Sequence, residues 1–205
     1  MTARAARRGL VAALIVVAGA LAGAGTASGH GDHGPSGRLP SIGPAPAFAL
    51  TDQDGEVLAL QDLKGKVVAV TFIYTSCHDV CPILTDKLAD IRQSLDGAVT
   101  DVHFVSITVD PAVDRPAVLK DYARMMDADV PGWSFLTGTE TEIATVARAY
   151  GVYIGKRAAG DVDHNLLTSI IDRSGTIRVQ YMGQRFSSDE FLNDLHGLVR
   201  ENEGP

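Results

Sequence analysis

Residues 66–95, KVVAVTFIYTSCHDVCPILTDKLADIRQSL, decide the fold, because they hold both cysteines of the chain at one junction between two kinds of secondary structure. Residues 67–74 are β-branched or aromatic almost throughout, with no charge after Lys66, as expected of a central strand covered on both faces. The second half reads as a helix. Pro82 suits a first helical position, and Ile83, Leu84, Lys87, Leu88, Ile91 and Leu95 form a stripe at helical spacing, leaving Thr85, Asp86, Asp90 and Arg92 outward. Cys77 then falls in the loop leaving the strand, and Cys81 at the mouth of the helix.

That location has chemical consequences, since unpaired N–H groups and the positive end of a helix dipole favour thiolate over thiol. An ordinary cysteine, near pKa 8.5, is only about a few per cent ionised at neutral pH, whereas such sites lower the value to roughly 3.5 to 7.5. The ionised sulfur is both nucleophile and metal ligand. Two sulfurs at this spacing can chelate one soft ion or, after a small adjustment, close a disulfide. The spacing does not choose between them. A purely structural bridge is the poorest use of the pair, because a loop this small gives the least chain-entropy stabilisation.

Residues 1–29 read as an export signal or amino-terminal anchor. Arg4, Arg7 and Arg8 precede an uncharged run from Gly9 to Gly29 that is strongly apolar only in its first half and then thins into Gly, Ala, Thr and Ser. Removing those arginines takes the formal charge from −7 to −10, which argues against nucleic-acid or anionic-lipid binding. Residues 30–46, rich in Gly and Pro, read as a flexible linker in which His30 and His33 are solvated rather than ligating. Residues 47–203 are long enough for one core.

Within that domain, residues 47–57 read as an extended segment with a turn at Asp54-Gly55, and 102–109 as a second buried strand whose His103 is a satisfied face histidine. Residues 115–126 carry Val118, Leu119, Tyr122 and Met125 or Met126 at helical spacing, the methionines as core filling. A third strand at 133–136 leads to a helix at 139–150 opened by a Thr139/Glu142 capping box. A polar loop at 157–165 contains Asp163 and His164. A hairpin of 166–172 with 176–182 follows, and Ser188 caps a last helix, 189–200. The order points to an α/β fold: a thioredoxin-like central mixed sheet flanked by helices, with an amino-terminal extended segment and a late hairpin. Chemistry in such sheets gathers at the carboxyl ends of the parallel strands. Cys77 sits there, and His164 is the histidine whose loop can reach it.

Several segments together resemble the Sco/SenC copper proteins of cytochrome c oxidase assembly. They are Phe72-Ile73-Tyr74-Thr75-Ser76-Cys77 with Cys81-Pro82, Val109-Asp110-Pro111, Trp133-Ser134-Phe135-Leu136-Thr137-Gly138, and Val162-Asp163-His164 before Ile170-Ile171-Asp172. The resemblance implies Cys77, Cys81 and His164 as copper ligands, for Cu(I) and also Cu(II). It makes Asp163 a support for the ring or its loop, and Asp79 an acidic group that orients the site or greets a partner. The implied partner is the copper-bearing oxidase subunit, with a further copper donor or a thioredoxin-like reductant alongside, outside the cytoplasm and close to a membrane. The chain departs from the family at His78, where proline is usual and an imidazole adds a fourth candidate donor, and at Val113, Arg115 and Asn165. A thiol-disulfide oxidoreductase using Cys77 as nucleophile and Cys81 to resolve is the competing function.

Overall fold

The computed structural model describes residues 39–156 and 162–201. The first described strand, β1 (Gly43–Pro44), is followed by the hairpin β2 (Ala49–Thr51) and β3 (Val57–Ala59). Its turn is the expected one: the Asp52 carboxylate accepts the N–H groups of Asp54 and Glu56, and Gly55 takes φ 86°, a conformation that favours glycine. A short 3-10 turn, Leu60–Leu63, leads into β4 (Val67–Ile73), all seven residues of which are buried.

Helix α1 (Val80–Gln93) returns the chain to β5 (Val102–Thr108), and α2 (Pro116–Met125) to β6 (Trp133–Leu136), both crossovers pairing parallel strands. Helix α3 (Glu140–Tyr150) opens on the Thr139/Glu142 box and ends on Gly151 at φ 86°. Two short strands, β7 (Ile154–Lys156) and β8 (Val162–His164), pair only with each other among the described residues. The hairpin β9 (Leu167–Ile171) and β10 (Thr176–Met182) precedes α4 (Ser188–Arg200). The main sheet runs β1-β10-β9-β4-β5-β6, so β4 lies inside it, flanked by parallel β5 and antiparallel β9. This is the expected thioredoxin-like sheet.

The core spans the sheet. Leu84, Leu88, Ile91, Leu119, Ile143, Phe191, Leu195 and Leu198 are buried from the helices, and Trp133 stacks on Phe135, which meets Tyr122 of α2 edge-on. His103 is half-buried with Nε2 3.0 Å from the Ser134 hydroxyl, the satisfied residue expected, and burial holds its pKa down to about 4. At the end of the sheet far from the cysteines, the buried Arg178 guanidinium binds the carbonyls of Leu39 and Pro40 and the carboxylates of Asp172 and Glu201, tying the chain's first described residues to its last.

Several expected positions need correction, Val118 among them, which is exposed rather than on the buried face of α2. Pro82 is the third residue of α1, not the first. Ile83 is 52% exposed and Thr85 is buried, because the Thr85 hydroxyl donates to the Cys81 carbonyl (3.0 Å) and pairs with the Tyr122 hydroxyl, which satisfies it inside. Met125 is 70% exposed and fills no core, while Met126 is half-buried against it. Ser187 rather than Ser188 caps α4, accepting the Glu190 N–H. The polar loop ends in strand β8. No helix among the described residues is long and apolar enough to cross a membrane. The leader expected at 1–29 and His30 and His33 of the expected linker lie outside the described residues.

Candidate functional site

Where β4 ends, the chain bends through Tyr74–Asp79 before α1 begins, and this bend aims hydrogen-bond donors at one sulfur. Burial alone would push the Cys77 thiol up. The backbone N–H groups of Cys81 and Asp79, the Cys81 thiol and the Tyr74 hydroxyl outweigh it and leave Cys77 below the ordinary thiol value. Cys81, the second residue of α1, is wholly buried, and that burial pushes it up to about 12. A hydrogen bond from the Tyr74 backbone opposes the shift, while the Cys77 sulfur and the Asp114 carboxylate add to it. The two cysteines are not bonded to each other in this structure and are chemically unequal. A helix mouth acidifies only the sulfur it leaves partly in reach of solvent; the deeper one loses more to desolvation than the dipole returns.

Cys77 lines an open cleft of about 470 Å³ with Tyr74, His78, Asp79 and Val80 on one side and Val162, Asp163 and His164 on the other. His164 meets Tyr74 edge-on at 5.8 Å between ring centroids. Its Nδ1–H donates to the Asn165 carbonyl (3.2 Å), which leaves the Nε2 lone pair as the donor atom. Burial lowers the His164 pKa, against the opposing pull of that carbonyl and of the Asp163 charge, so the ring is neutral at physiological pH, the form that binds metal. The ribbon beneath it is fastened by Asn165, whose side chain accepts the Tyr153 N–H (2.7 Å) and donates to the Gly151 carbonyl (3.2 Å).

Sequence-derived candidates thus converge in part. Cys77, His78, Asp79, Asp163 and His164 line one cleft, and Cys81 lies behind Cys77 rather than in its wall. Among the described residues, no three His, Cys, Asp or Glu side chains are gathered closely enough to make a metal shell. Asp79 and His78 are exposed on the lip. Asp79 acts on Cys77 through its backbone N–H; its side chain caps no helical N–H.

The profile of the SCO1/SenC family matches residues 41–200 of this chain. The chain belongs to the SCO1/SenC family. It is 31% identical to the SCO1 protein homolog of Bacillus subtilis over 152 residues, covering 72% of this chain and 79% of that one. It spans 64 to 65% of the length of several other curated Sco relatives. The copper-bound structure of Bradyrhizobium japonicum ScoI superposes with TM-score 0.67 at 31% identity, over 76% of this chain and 99% of that one. BsSco, described as a member of the Sco family of cytochrome c oxidase assembly proteins with a disulfide switch, superposes with TM-score 0.70 at 27% identity, over 79% and 98%.

Within this Sco domain, two groups near the sulfurs escape a reading of the sequence. Thr85 and Tyr122 form the hydrogen-bonded backing of Cys81. Asp114, a fully buried carboxylate, holds Thr75 in the bend that leads to Cys77. A polar residue that alternates out of the apolar pattern looks exposed in sequence, and only its tertiary partners reveal otherwise.

Proposed function

We propose that this Sco protein is an exported copper metallochaperone that holds one copper ion through Cys77, Cys81 and His164 and delivers it to the copper-bearing subunit of cytochrome c oxidase. One observation carries the reading: Cys77 and His164, from elements far apart in sequence, line the same open cleft. Two sulfurs and a neutral imidazole form a donor set that suits Cu(I) and disfavours hard ions. Copper is the cargo. An open cleft lets incoming ligands displace Cys77 and His164 at the lip, with Asp79, Asp163 and His78 there to meet a partner or to lend a further nitrogen.

The leader at 1–29 supports a site outside the cytoplasm, on the outer face of the membrane or in a periplasm. Copper-bound relatives and relatives of oxidase assembly support the cargo and the destination. A separate copper donor and a thioredoxin-like reductant complete the expected partners.

The inequality of the two thiols favours a second activity on the same residues. The Cys77 thiolate attacks a target disulfide, forming a mixed disulfide and releasing one target thiolate. Cys81 then loses its proton and attacks the Cys77 sulfur, closing the Cys77–Cys81 bond and releasing the second target thiolate, which takes up a proton. Anaerobic competition with a Cu(I) chelator, run on wild type and His164→Ala, separates the two. The copper reading expects one Cu(I) per chain and at least about a hundredfold weaker binding in the variant, with disulfide exchange unchanged. Equal affinity in both proteins leaves only the redox activity.

A further inference from the structure

Asp114 is a carboxylate with no exposed surface, buried without a charged partner among the ion pairs of the described residues. Burying such a group is costly unless its oxygens are satisfied, and here they are. Oδ2 accepts the Thr75 N–H (3.0 Å) and the Thr108 hydroxyl, and Oδ1 accepts the Thr75 hydroxyl. Thr75 lies two residues before Cys77. Thr108 ends β5, opposite Ile73 at the end of β4. The loop that carries Asp114 is closed on the same threonine: Asp110 N–H donates to the Thr108 hydroxyl oxygen (2.9 Å), and Asp114 N–H to the Asp110 carbonyl (2.9 Å).

We propose that Asp114 is the positioning residue of the dithiol, holding the bend before Cys77 so that its sulfur stays beside that of Cys81. Every hydrogen bond the carboxylate accepts comes from a residue at the carboxyl end of β4 or β5, the two strands whose ends support the site. A bend held in this way keeps two sulfurs at high effective concentration, which favours both closure of the disulfide and chelation of one ion. Removing Asp114 therefore shifts the couple toward the dithiol by loosening the bend.

The proposal rests on Cys77 and Cys81 working as a pair, and the test reads that pair directly. Full-length protein is equilibrated anaerobically with mixtures of reduced and oxidised dithiothreitol, and the dithiol fraction is trapped with a maleimide. In each exchange two electrons and two protons pass from dithiothreitol to the protein disulfide. Asp114→Ala is expected to disfavour the protein disulfide about tenfold, equivalent to about 30 mV toward a more oxidising couple. Thr75→Val, which removes the hydroxyl bond and keeps that of the N–H, is expected to give about a threefold change. Asp114→Asn, which keeps an oxygen for the Thr75 N–H, should fall between wild type and Asp114→Ala.

A role confined to fold stability would lower the melting temperature and leave this equilibrium where it was. Constants within twofold of wild type in folded Asp114→Ala and Thr75→Val overturn the proposal. Should Asp114→Ala fail to fold, the same criterion applies to Thr75→Val and Asp114→Asn. Wild-type protein that forms no reversible disulfide and binds no Cu(I) would instead overturn the paired-cysteine reading beneath it.

Discussion

The sulfur side of the cleft and the imidazole side are built to different standards of rigidity. Cys77 and Cys81 hang from a fully buried central strand and the first turn of a packed helix, and the intervening bend is fastened to Asp114. His164 sits on a ribbon of two three-residue strands that joins no strand of the main sheet among the described residues. An isolated two-stranded ribbon is marginal by itself. One side is thus a fixed support, and the other is held by Asn165 and by the edge-on contact with Tyr74. The donors share a cleft without forming a closed shell, and under the proposed copper reading an ion would draw the ribbon toward the fixed half.

The sharpest test of the fixed half is the inequality of its thiols. At pH 9 a group with pKa about 12 is roughly one part in a thousand ionised, whereas Cys77, lowered from the ordinary value, is mostly thiolate. Iodoacetamide at that pH should label Cys77 about a thousandfold faster than Cys81, as read by peptide mass spectrometry. Labelling of Cys77 should level off as pH rises past 9, while that of Cys81 continues to climb toward 12. Comparable rates would break the distinction between an outer and an inner sulfur.

Stability should divide along the same line. Phe72, buried in β4 and packed on Tyr150, is expected to cost about 3–5 kcal/mol when replaced by Ala. Asn165→Ala should cost only about 1 kcal/mol, as for the loss of ordinary hydrogen bonds. Urea denaturation measures both, and equal costs would mean that the ribbon belongs to the main cooperative unit. The same Asn165→Ala variant should bind Cu(I) about tenfold more weakly while its equilibrium with dithiothreitol stays unchanged, because it disturbs the imidazole side alone. The smallest expected effect is in hydrogen exchange. Amides of β7 and β8 should exchange faster than those of β4 in copper-free protein and slow by about tenfold when Cu(I) binds. No change on loading would count against a ribbon that closes.

The fixed half was largely legible in the sequence. The run Val67–Ile73 is short, uncharged and rich in β-branched residues, which favours a buried strand, and the places of the cysteines follow from it. The apolar stripe of α1 leaves Thr85 out because it looks polar in sequence, whereas its hydroxyl is satisfied by the Cys81 carbonyl and Tyr122. Strands β7 and β8 were illegible because three residues are too few to show alternation, and Val162-Asp163-His164 lacks the density of apolar side chains that marks a strand. Asp114, between Val113 and Arg115 and just before Pro116, reads as a turn residue. Only the return of β5 beside β4 shows that it points under Thr75.

In the proposed copper site, sulfurs from the fixed half and nitrogen from the ribbon meet on one ion. X-ray absorption at the copper edge of the Cu(I)-loaded protein tests it most directly. Two sulfur neighbours and one nitrogen are expected in wild type, with the nitrogen lost and both sulfurs kept in His164→Ala. A sulfur-only shell in wild type, or a nitrogen that survives His164→Ala and disappears in His78→Ala, would contradict it.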